Sequence, residues 1–434
     1  MGRHMGNTST ESGTGSRRAW LCVLILVACS GLLRAGAIAA RANRLSADPD
    51  AYRLIAENLV QRGVFSRSTA DVPAVPTVFR PPLYPLLLAA TSWNGEVRPL
   101  GVAIVHVLTG MVTVWIVYLL GRRWGLQAWS YLAAIGVAVD PILLNQAGEV
   151  MTETLATLFA VLSLLALTRW DERNSNSSAA VAGAAMGLSI LCRPTFLVWA
   201  GLCGLYVLVT RRNRQSIRQL IAFSLAIGLV LLPWGVRNYR AVGRPIVTTA
   251  HGGYTLLLAN NTFLYQHLRT KPWGSVWDAR ELDPLMRPDP QDTTRPSLRE
   301  LPELESDRAL YDLAKQTIRE QPGMFAYASL VRLGCLWSPL AHQVSATESR
   351  SGRAARWAAA AWYASVFLLA LLAVVLRVVK LEKPPWVWGL LVLVAFSMIH
   401  AVYWTNIRMR APLMPVVYLA AAAFCASRSR RAGS

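Results

Sequence analysis

Two carboxylates, Asp48 and Asp50, flank a proline directly after the first apolar run of the chain. Acids at a lipid boundary can act as a general base, drawing a proton from an acceptor hydroxyl or amine as it attacks a sugar carbon. The same residues also suit a plain polar helix start, with Asp50 as N-cap. A second pair, Glu149 and Glu153 in NQAGEVMTE, is spaced four apart, so on one helix the two would share a face. They could help place an acceptor, or be first-turn acids favoured by a helix dipole. The matching cations are Arg237 in Pro233-Trp234-Gly235-Val236-Arg237-Asn238, and Arg408 with Arg410 beyond His400 and Trp404. Arginine presents several rigid donors to phosphate oxygens. The plainer readings are a snorkelling interfacial arginine at 237 and a basic loop at 408–410. His251-Gly252-Gly253 and Asn260-Asn261 suit a tight loop against a ligand, and His106 inside an apolar run reads as a packing residue. No HExxH, Walker, GxSxG or GxGxxG site stands in a supporting context. The sequence requires no cofactor, although clustered acids could recruit a divalent ion.

The elements that must position these residues are apolar helices. Of 434 residues 54% are hydrophobic and only 16% charged, against roughly 25% charged in soluble domains. The apolar residues gather in runs of about 17 to 25, the length that crosses a bilayer as helix. This composition excludes disorder and a disulfide scaffold and gives an all-α polytopic membrane protein of about 10–12 spans. Eleven runs qualify, at 19–39, 98–120, 128–146, 151–169, 179–192, 195–210, 219–236, 322–340, 357–378, 386–403 and 411–425. Two stretches, 40–96 and 237–321, are too long and polar to be turns. Within the first, the pattern predicts a helix from Asp50 to Val60 ended by Gly63, and a short interfacial stretch that begins with Arg80-Pro81-Pro82-Leu83-Tyr84-Pro85 and runs to about Trp93. Within the second it predicts a helix over Leu301–Glu320 stopped by Pro322, after irregular surface over Asp278–Pro302.

Charge gives orientation. The chain holds 44 Lys and Arg against 24 Asp and Glu, a net charge of +20. In a soluble protein that would suggest nucleic acid; here Arg122-Arg123, Arg169 with Arg173, and Arg211, Arg212, Arg214 and Arg218 fill short loops, the pattern of cytoplasmic loops. Nucleic acid is excluded as a partner; membrane lipids are the neighbours. The stretch 237–321 is almost neutral, with twelve basic and eleven acidic residues. Both long stretches then lie together on the outer face, with 1–18 a cytoplasmic tail, 19–425 the membrane domain and 426–434 a basic C-terminal tail. Eleven crossings would leave that tail outside, against its Arg428, Arg430 and Arg431. The weakest span is 322–340, which contains Arg332. The six cysteines form no CxxC and read as small buried residues.

Taken in order, the motifs resemble the GT-C superfamily of membrane glycosyltransferases, and within it the protein mannosyltransferase and aminoarabinose transferase-like families that use polyprenyl-phosphate sugars. The resemblance runs from about 20 to 425. It rests on Asp48, Tyr52, Ala56-Glu57-Asn58-Leu59 and Gly63, then Arg80-Pro81-Pro82-Leu83-Tyr84-Pro85, then Thr152-Glu153. Gly187 to Arg193-Pro194, Arg237-Asn238-Tyr239 with Asn260-Asn261, and Arg408-Met409-Arg410-Ala411-Pro412 complete it. The sequence departs from the family pattern at Pro49, which displaces the second acid to Asp50, and at Met409, which replaces a tyrosine.

The resemblance implies a GT-C helical bundle in a bacterial cytoplasmic (inner) membrane. It implies inverting transfer from a polyprenyl-phosphate sugar donor to a glycan, lipid or protein acceptor of the envelope. Asp48 would be the base, with Asp50 and Glu153 shaping the acceptor site. Arg237, Arg408 and Arg410 would hold the donor phosphate, and Tyr52, Arg80, Glu149, Asn260 and His400 would shape the acceptor side or the loops. The alternatives are a transporter or flippase of lipid-linked saccharide, which expects functional charge at mid-membrane, and an inactive scaffold of envelope assembly.

Overall fold

The computed structural model describes residues 11–286, 297–298, 300–342 and 348–432. Part of the N-terminal tail, the tip of the C-terminal tail and part of Asp278–Pro302 lie outside these. The first long helix is α1 (Glu11–Ala39). The polar stretch after it holds α2 (Tyr52–Arg62) and α3 (Leu83–Ala89). The membrane helices resume with α4 (Pro99–Arg123), α5 (Ser130–Ala138), α6 (Pro141–Ala147), α7 (Glu153–Arg173), α8 (Asn176–Cys192), α9 (Phe196–Thr210) and α10 (Arg214–Val242). The second polar stretch folds as α11 (Gly252–Ala259), α12 (Thr262–Thr270), the short α13 (Asp283–Met286) and α14 (Glu303–Glu320). Then follow α15 (Pro322–Trp337), α16 (Arg350–Val375), α17 (Trp386–Val402), a 3-10 turn (Ile407–Leu413) and α18 (Met414–Ala432).

The span count changes from the sequence expectation. Among the described residues six helices are long and apolar enough to cross a membrane, α5 with α6 forms one bent pair, and α8, α9 and α17 are shorter apolar helices. These make ten. The eleventh candidate, 322–340, is the 16-residue α15, whose Arg332 is buried in protein. Its guanidinium donates to the carbonyls of Ala401 at 2.8 Å and Ala259 at 2.6 Å. An even number of crossings, as these ten candidates would give, puts both chain ends on one side. The chain is a multi-pass, all-helical membrane protein.

The run 128–146 is not one straight span. It bends by 50° at Asp140-Pro141, where proline cannot continue the ladder. The freed backbone groups find side chains. Asp140 Oδ1 accepts from Leu143 N at 2.8 Å, Tyr363 Oη accepts from Ile142 N at 2.9 Å, and Arg34 donates to the Val137 carbonyl at 3.3 Å. Tyr363 and Tyr418 in turn donate to the two Asp140 oxygens at 3.1 and 2.7 Å. Arg34 reaches the break across Gly110, where a Cβ would stand 2.0 Å from its Nε. Arg34 and Asp140 are charges inside the apolar helices, the feature a transporter reading expects, but the break uses both. Leaving such groups bare in an apolar medium costs several kcal/mol each.

The two long polar stretches pack on one another. Glu303 of α14 accepts from Val78 N at 2.9 Å and from the Thr77 hydroxyl. Ala250 N donates to the Val78 carbonyl at 2.9 Å, and within the second stretch Gly253 N donates to Asp307 Oδ1 at 2.8 Å.

Small residues let α8 and α10 touch backbone to backbone. A Cβ on Gly183 would stand 2.2 Å from the Phe223 carbonyl oxygen, whereas nothing lies within 4 Å of one on Gly201. Gly183→Ala is expected to lower the melting temperature of the detergent-purified protein, with an overpacking cost of about 1–3 kcal/mol. Gly201→Ala, on an exposed face of α9, should leave it unchanged or raise it. Equal melting temperatures for both variants would show that this close approach is dispensable.

Candidate active site

The site begins where α2 starts. Asp48, not Asp50, caps this helix: its Oδ2 accepts from Leu54 N at 3.0 Å. The chain turns back through Ala51, which stands in the left-handed region at φ 60°, a conformation that costs a non-glycine residue roughly 1–2 kcal/mol. The second oxygen, Asp48 Oδ1, is buried without a partner. The expected helix start at Asp50 moves to Tyr52 because Asp50 is taken elsewhere. It pairs with Arg80 at 2.8 Å, and Arg80 also donates to the Asp50 carbonyl at 3.0 Å. The Arg80 guanidinium covers the rings of Phe79 at 4.4 Å and Tyr52 at 5.3 Å.

Tyr52 and Tyr84 form the next wall, ring edge to face at 5.2 Å. Burial, opposed by the nearby Arg80, pushes the Tyr52 phenol up to about 12. Burial, reinforced by Tyr52 and by the carboxylates of Asp48 and Glu153, holds the Tyr84 phenol well above its ordinary value. Both stay neutral hydroxyls. Tyr84 is hydrogen-bonded to His106 Nε2 at 2.9 Å, and His106 Nδ1 lies 2.8 Å from the Ala147 carbonyl. That carbonyl can only accept, so the proton sits on Nδ1 and Nε2 accepts from Tyr84. His106 thereby ties α3 to the end of α6 through α4.

Glu153 lies across from this wall, only 2% exposed. Its Oε1 is 3.4 Å from Arg408 Nε and 3.7 Å from Arg193 Nη1. Glu153 Oε2, Arg193 Nη1 and Arg408 Nε have no hydrogen bond although buried. Glu149 does not share a helical face with it. α6 ends at Ala147 and α7 begins at Glu153, so Glu149 falls in the turn between them and pairs with Arg44 at 2.8 Å.

Arg193 was not singled out for chemistry by its spacing. Pro194 bars it from helical conformation, so α8 stops at Cys192 and the Arg193 side chain leaves the helix end toward Glu153. An ionisable residue between two apolar runs is the signal that marks it.

The two terminal arginines separate. In a 3-10 turn residues two apart point roughly 120° apart around the axis. Arg408 faces Glu153, while Arg410 is fully buried against Tyr363 at 4.3 Å and donates to the carbonyls of Leu336 and Ser338. Arg237 is likewise committed. It donates to the Thr77 carbonyl at 2.7 Å and the Phe65 carbonyl at 3.0 Å, and so holds the first polar stretch to α10. Asn260 is buried in a knot with Leu256, Val402, Tyr265 and Arg332. His400 has its Nδ1 3.3 Å from the Trp404 carbonyl and its Nε2 buried and unpartnered.

Beside Arg408 opens a cavity of about 450 Å³, lined by Gln146, Lys271, Trp273, Trp277, Tyr327 and Trp404 among others. Among the described residues no three His, Cys, Asp or Glu side chains converge as a metal site. Glu153 faces two guanidinium groups, surroundings that repel a divalent cation.

Three comparisons bear on this geometry. Residues 79–236 match the family model described as Dolichyl-phosphate-mannose-protein mannosyltransferase. No curated protein sequence matches the chain. Among solved structures, it is similar to the oligosaccharyltransferase AglB from Archaeoglobus fulgidus, in complex with an inhibitory peptide and a dolichol-phosphate. That likeness has a TM-score of 0.53 at 15% identity over 96% of this chain and 51% of that one. A second structure of the Archaeoglobus fulgidus enzyme, tethered to an acceptor peptide, gives 0.53 at 15% identity over 94% and 50%. ArnT from Cupriavidus metallidurans, bound to undecaprenyl phosphate, gives 0.41 at 18% identity over 96% and 79%. The chain spans about half the length of the oligosaccharyltransferases it matches. The fold is the GT-C helical bundle.

His251 closes the site region from the second polar stretch, its ring 4.4 Å from Phe79 and 5.3 Å from Tyr254. Burial first, then Arg80 and Arg67, hold its imidazole down to about 3 from an ordinary 6.5. Unfolded chains therefore bind the proton between these values and the folded protein does not. The stabilisation is complete above pH 6.5 and is lost as pH falls from 6.5 toward 3. His251→Phe keeps an aromatic ring and cannot charge. It should shrink the drop in melting temperature between pH 7.5 and pH 5 relative to the unsubstituted protein. An equal drop in both would remove His251 as the source.

Proposed function

We propose that this chain is a membrane glycosyltransferase. It moves one sugar from a polyprenyl-phosphate donor to an envelope acceptor on the outer face of a bacterial cytoplasmic membrane, with inversion. One observation carries the reading. Unpartnered buried polar atoms of Asp48, Glu153, Arg193, His400 and Arg408 belong to side chains grouped about one place. Native interiors seldom leave such atoms bare, and a ligand bearing both charge and hydroxyls would satisfy them. The GT-C fold and the mannosyltransferase match over 79–236 support the same class.

In this mechanism the donor phosphate lies against Arg193 and Arg408, at the mouth of the aromatic-lined cavity. Arg237, whose donors serve the Thr77 and Phe65 carbonyls, positions the loops. Arg410 donates through Nη1 to the Leu336 and Ser338 carbonyls and packs its guanidinium on Tyr363 and Phe367, with Nε and Nη2 left unpartnered among the described residues. The acceptor hydroxyl or amine attacks the anomeric carbon. The bond from that carbon to the phosphate oxygen breaks, and its electron pair leaves with the phosphate. Guanidinium donors already aimed at that oxygen stabilise the developing charge without reorganisation. The acceptor's proton passes to Asp48 Oδ1, because Oδ2 is held by the α2 amide. Tyr52 and Tyr84, neutral throughout, wall off water and line the acceptor side with Asp50 and Arg80.

Asp48→Asn keeps an oxygen for the Leu54 amide and loses the base. Transfer from a radiolabelled polyprenyl-phosphate sugar should fall by about 10²- to 10⁴-fold at an unchanged melting temperature. Unchanged transfer by a folded variant would sink the assignment. Transport of intact donor across vesicles by the unsubstituted protein, without a new glycoside, would favour a flippase.

A further inference from the structure

Glu153 occupies the place where a ligand's charge belongs. Its contacts with Arg193 and Arg408 are both too long for good hydrogen bonds. A buried ion set offsets its desolvation only when its geometry is tight and its remaining lone pairs are satisfied. Here Glu153 Oε2, Arg193 Nη1 and Arg408 Nε are all unsatisfied. Among the described residues the Arg193 guanidinium otherwise meets the Met409 sulfur, a weak acceptor. The neighbouring groups add little charge: Tyr52, Tyr84 and His106 are neutral, and His400 stands next to Arg193 with a bare Nε2. At the phosphate position two guanidinium groups and the Glu153 carboxylate leave a single positive charge; Asp48, the other carboxylate of the group, lies beside Tyr84 on the acceptor side.

This count distinguishes substrate from product. The donor is a phosphodiester with one negative charge. Breaking the sugar–oxygen bond turns it into a phosphomonoester with about 1.5 to 2 negative charges near neutral pH. We propose that Glu153 is a built-in competitor at the phosphate position. It leaves room for the one charge of the diester donor, opposes the extra charge of the monoester product, and so drives release of the product lipid. The inference rests on the reading above that a lipid phosphate binds Arg193 and Arg408.

The test measures dissociation constants for the full chain in nanodiscs at pH 8 with two probes, undecaprenyl phosphate and its methyl diester. Glu153→Gln should tighten the monoester by about tenfold or more and the diester by less, so the monoester-to-diester preference rises. Glu153→Asp, which keeps the charge, should stay near the unsubstituted protein. In multiple-turnover assays Glu153→Gln should show stronger inhibition by added undecaprenyl phosphate. A preference unchanged in Glu153→Gln overturns the inference while the phosphate reading stands. Failure of the unsubstituted protein to bind either probe overturns both. If Glu153→Gln does not fold, Arg193→Gln runs the test in reverse. It should weaken the monoester more than the diester, and equal weakening overturns the proposal.

Discussion

Within apolar surroundings every backbone group without a partner is costly, and a helix end leaves several of them. The active-site region is assembled from such ends. α2 begins on Asp48, α6 stops at the Ala147 carbonyl held by His106, α7 begins on Glu153, and α8 stops at Arg193. Helix ends are where a membrane protein can change chain direction and gather polar side chains at one depth. The requirement that each end be satisfied also determines where these side chains point. Asp48 has one oxygen fixed by an amide, and that constraint leaves the other oxygen aimed and bare.

The same constraint explains the charges that do no chemistry. Asp140 and Arg34 satisfy the break between α5 and α6, which turns the Ala147 end toward the site. Arg332 gathers the carbonyls at the ends of α11 and α17, and Arg410 those at the end of α15. Arg237 holds the first polar stretch to α10. Removing one partner from any of these would leave a buried carbonyl or charge without compensation, the costly direction of change. Several arginines of this arginine-rich chain thus serve as backbone caps where water is excluded. A guanidinium suits that role because it spreads five donors over a planar fork and stays charged.

Much of the fold is legible in the sequence, because run length and apolar content dictate membrane helices whatever their neighbours. The limits appear where a tertiary partner decides. Asp140-Pro141 reads as an interruption inside one apolar run, but only Tyr363 and Tyr418, more than 200 residues away, make the break tolerable. Glu149 and Glu153 have helical spacing, yet the chain turns between them, and periodicity alone cannot see that turn. Asp48 and Asp50 are equivalent as types; the Arg80 side chain separates them by claiming Asp50. Arg193 is visible as a basic residue before proline, and its direction depends on where α7 passes. His106 is a packing residue by sequence and a hydrogen-bonded tie between three helices in the structure.

The turn Ile407–Leu413 shows how little separates a ligand-facing arginine from a scaffolding one. Asn406 caps it by accepting from Arg408 N at 3.1 Å, and Pro412 keeps it from becoming a regular α-helix. In an α-helix residues two apart would stand about 160° apart around the axis; the tighter turn sets Arg410 about 120° from Arg408, where it meets the carbonyls of Leu336 and Ser338. Met409 falls between them and meets Arg193. A thioether in that position gives the Arg193 guanidinium only a weak neutral acceptor, and Glu153 is its counter-charge. Seven residues thereby place one cation in the site, pack a second on Tyr363 and Phe367, and leave a third, just past the end of α8, in need of an anion.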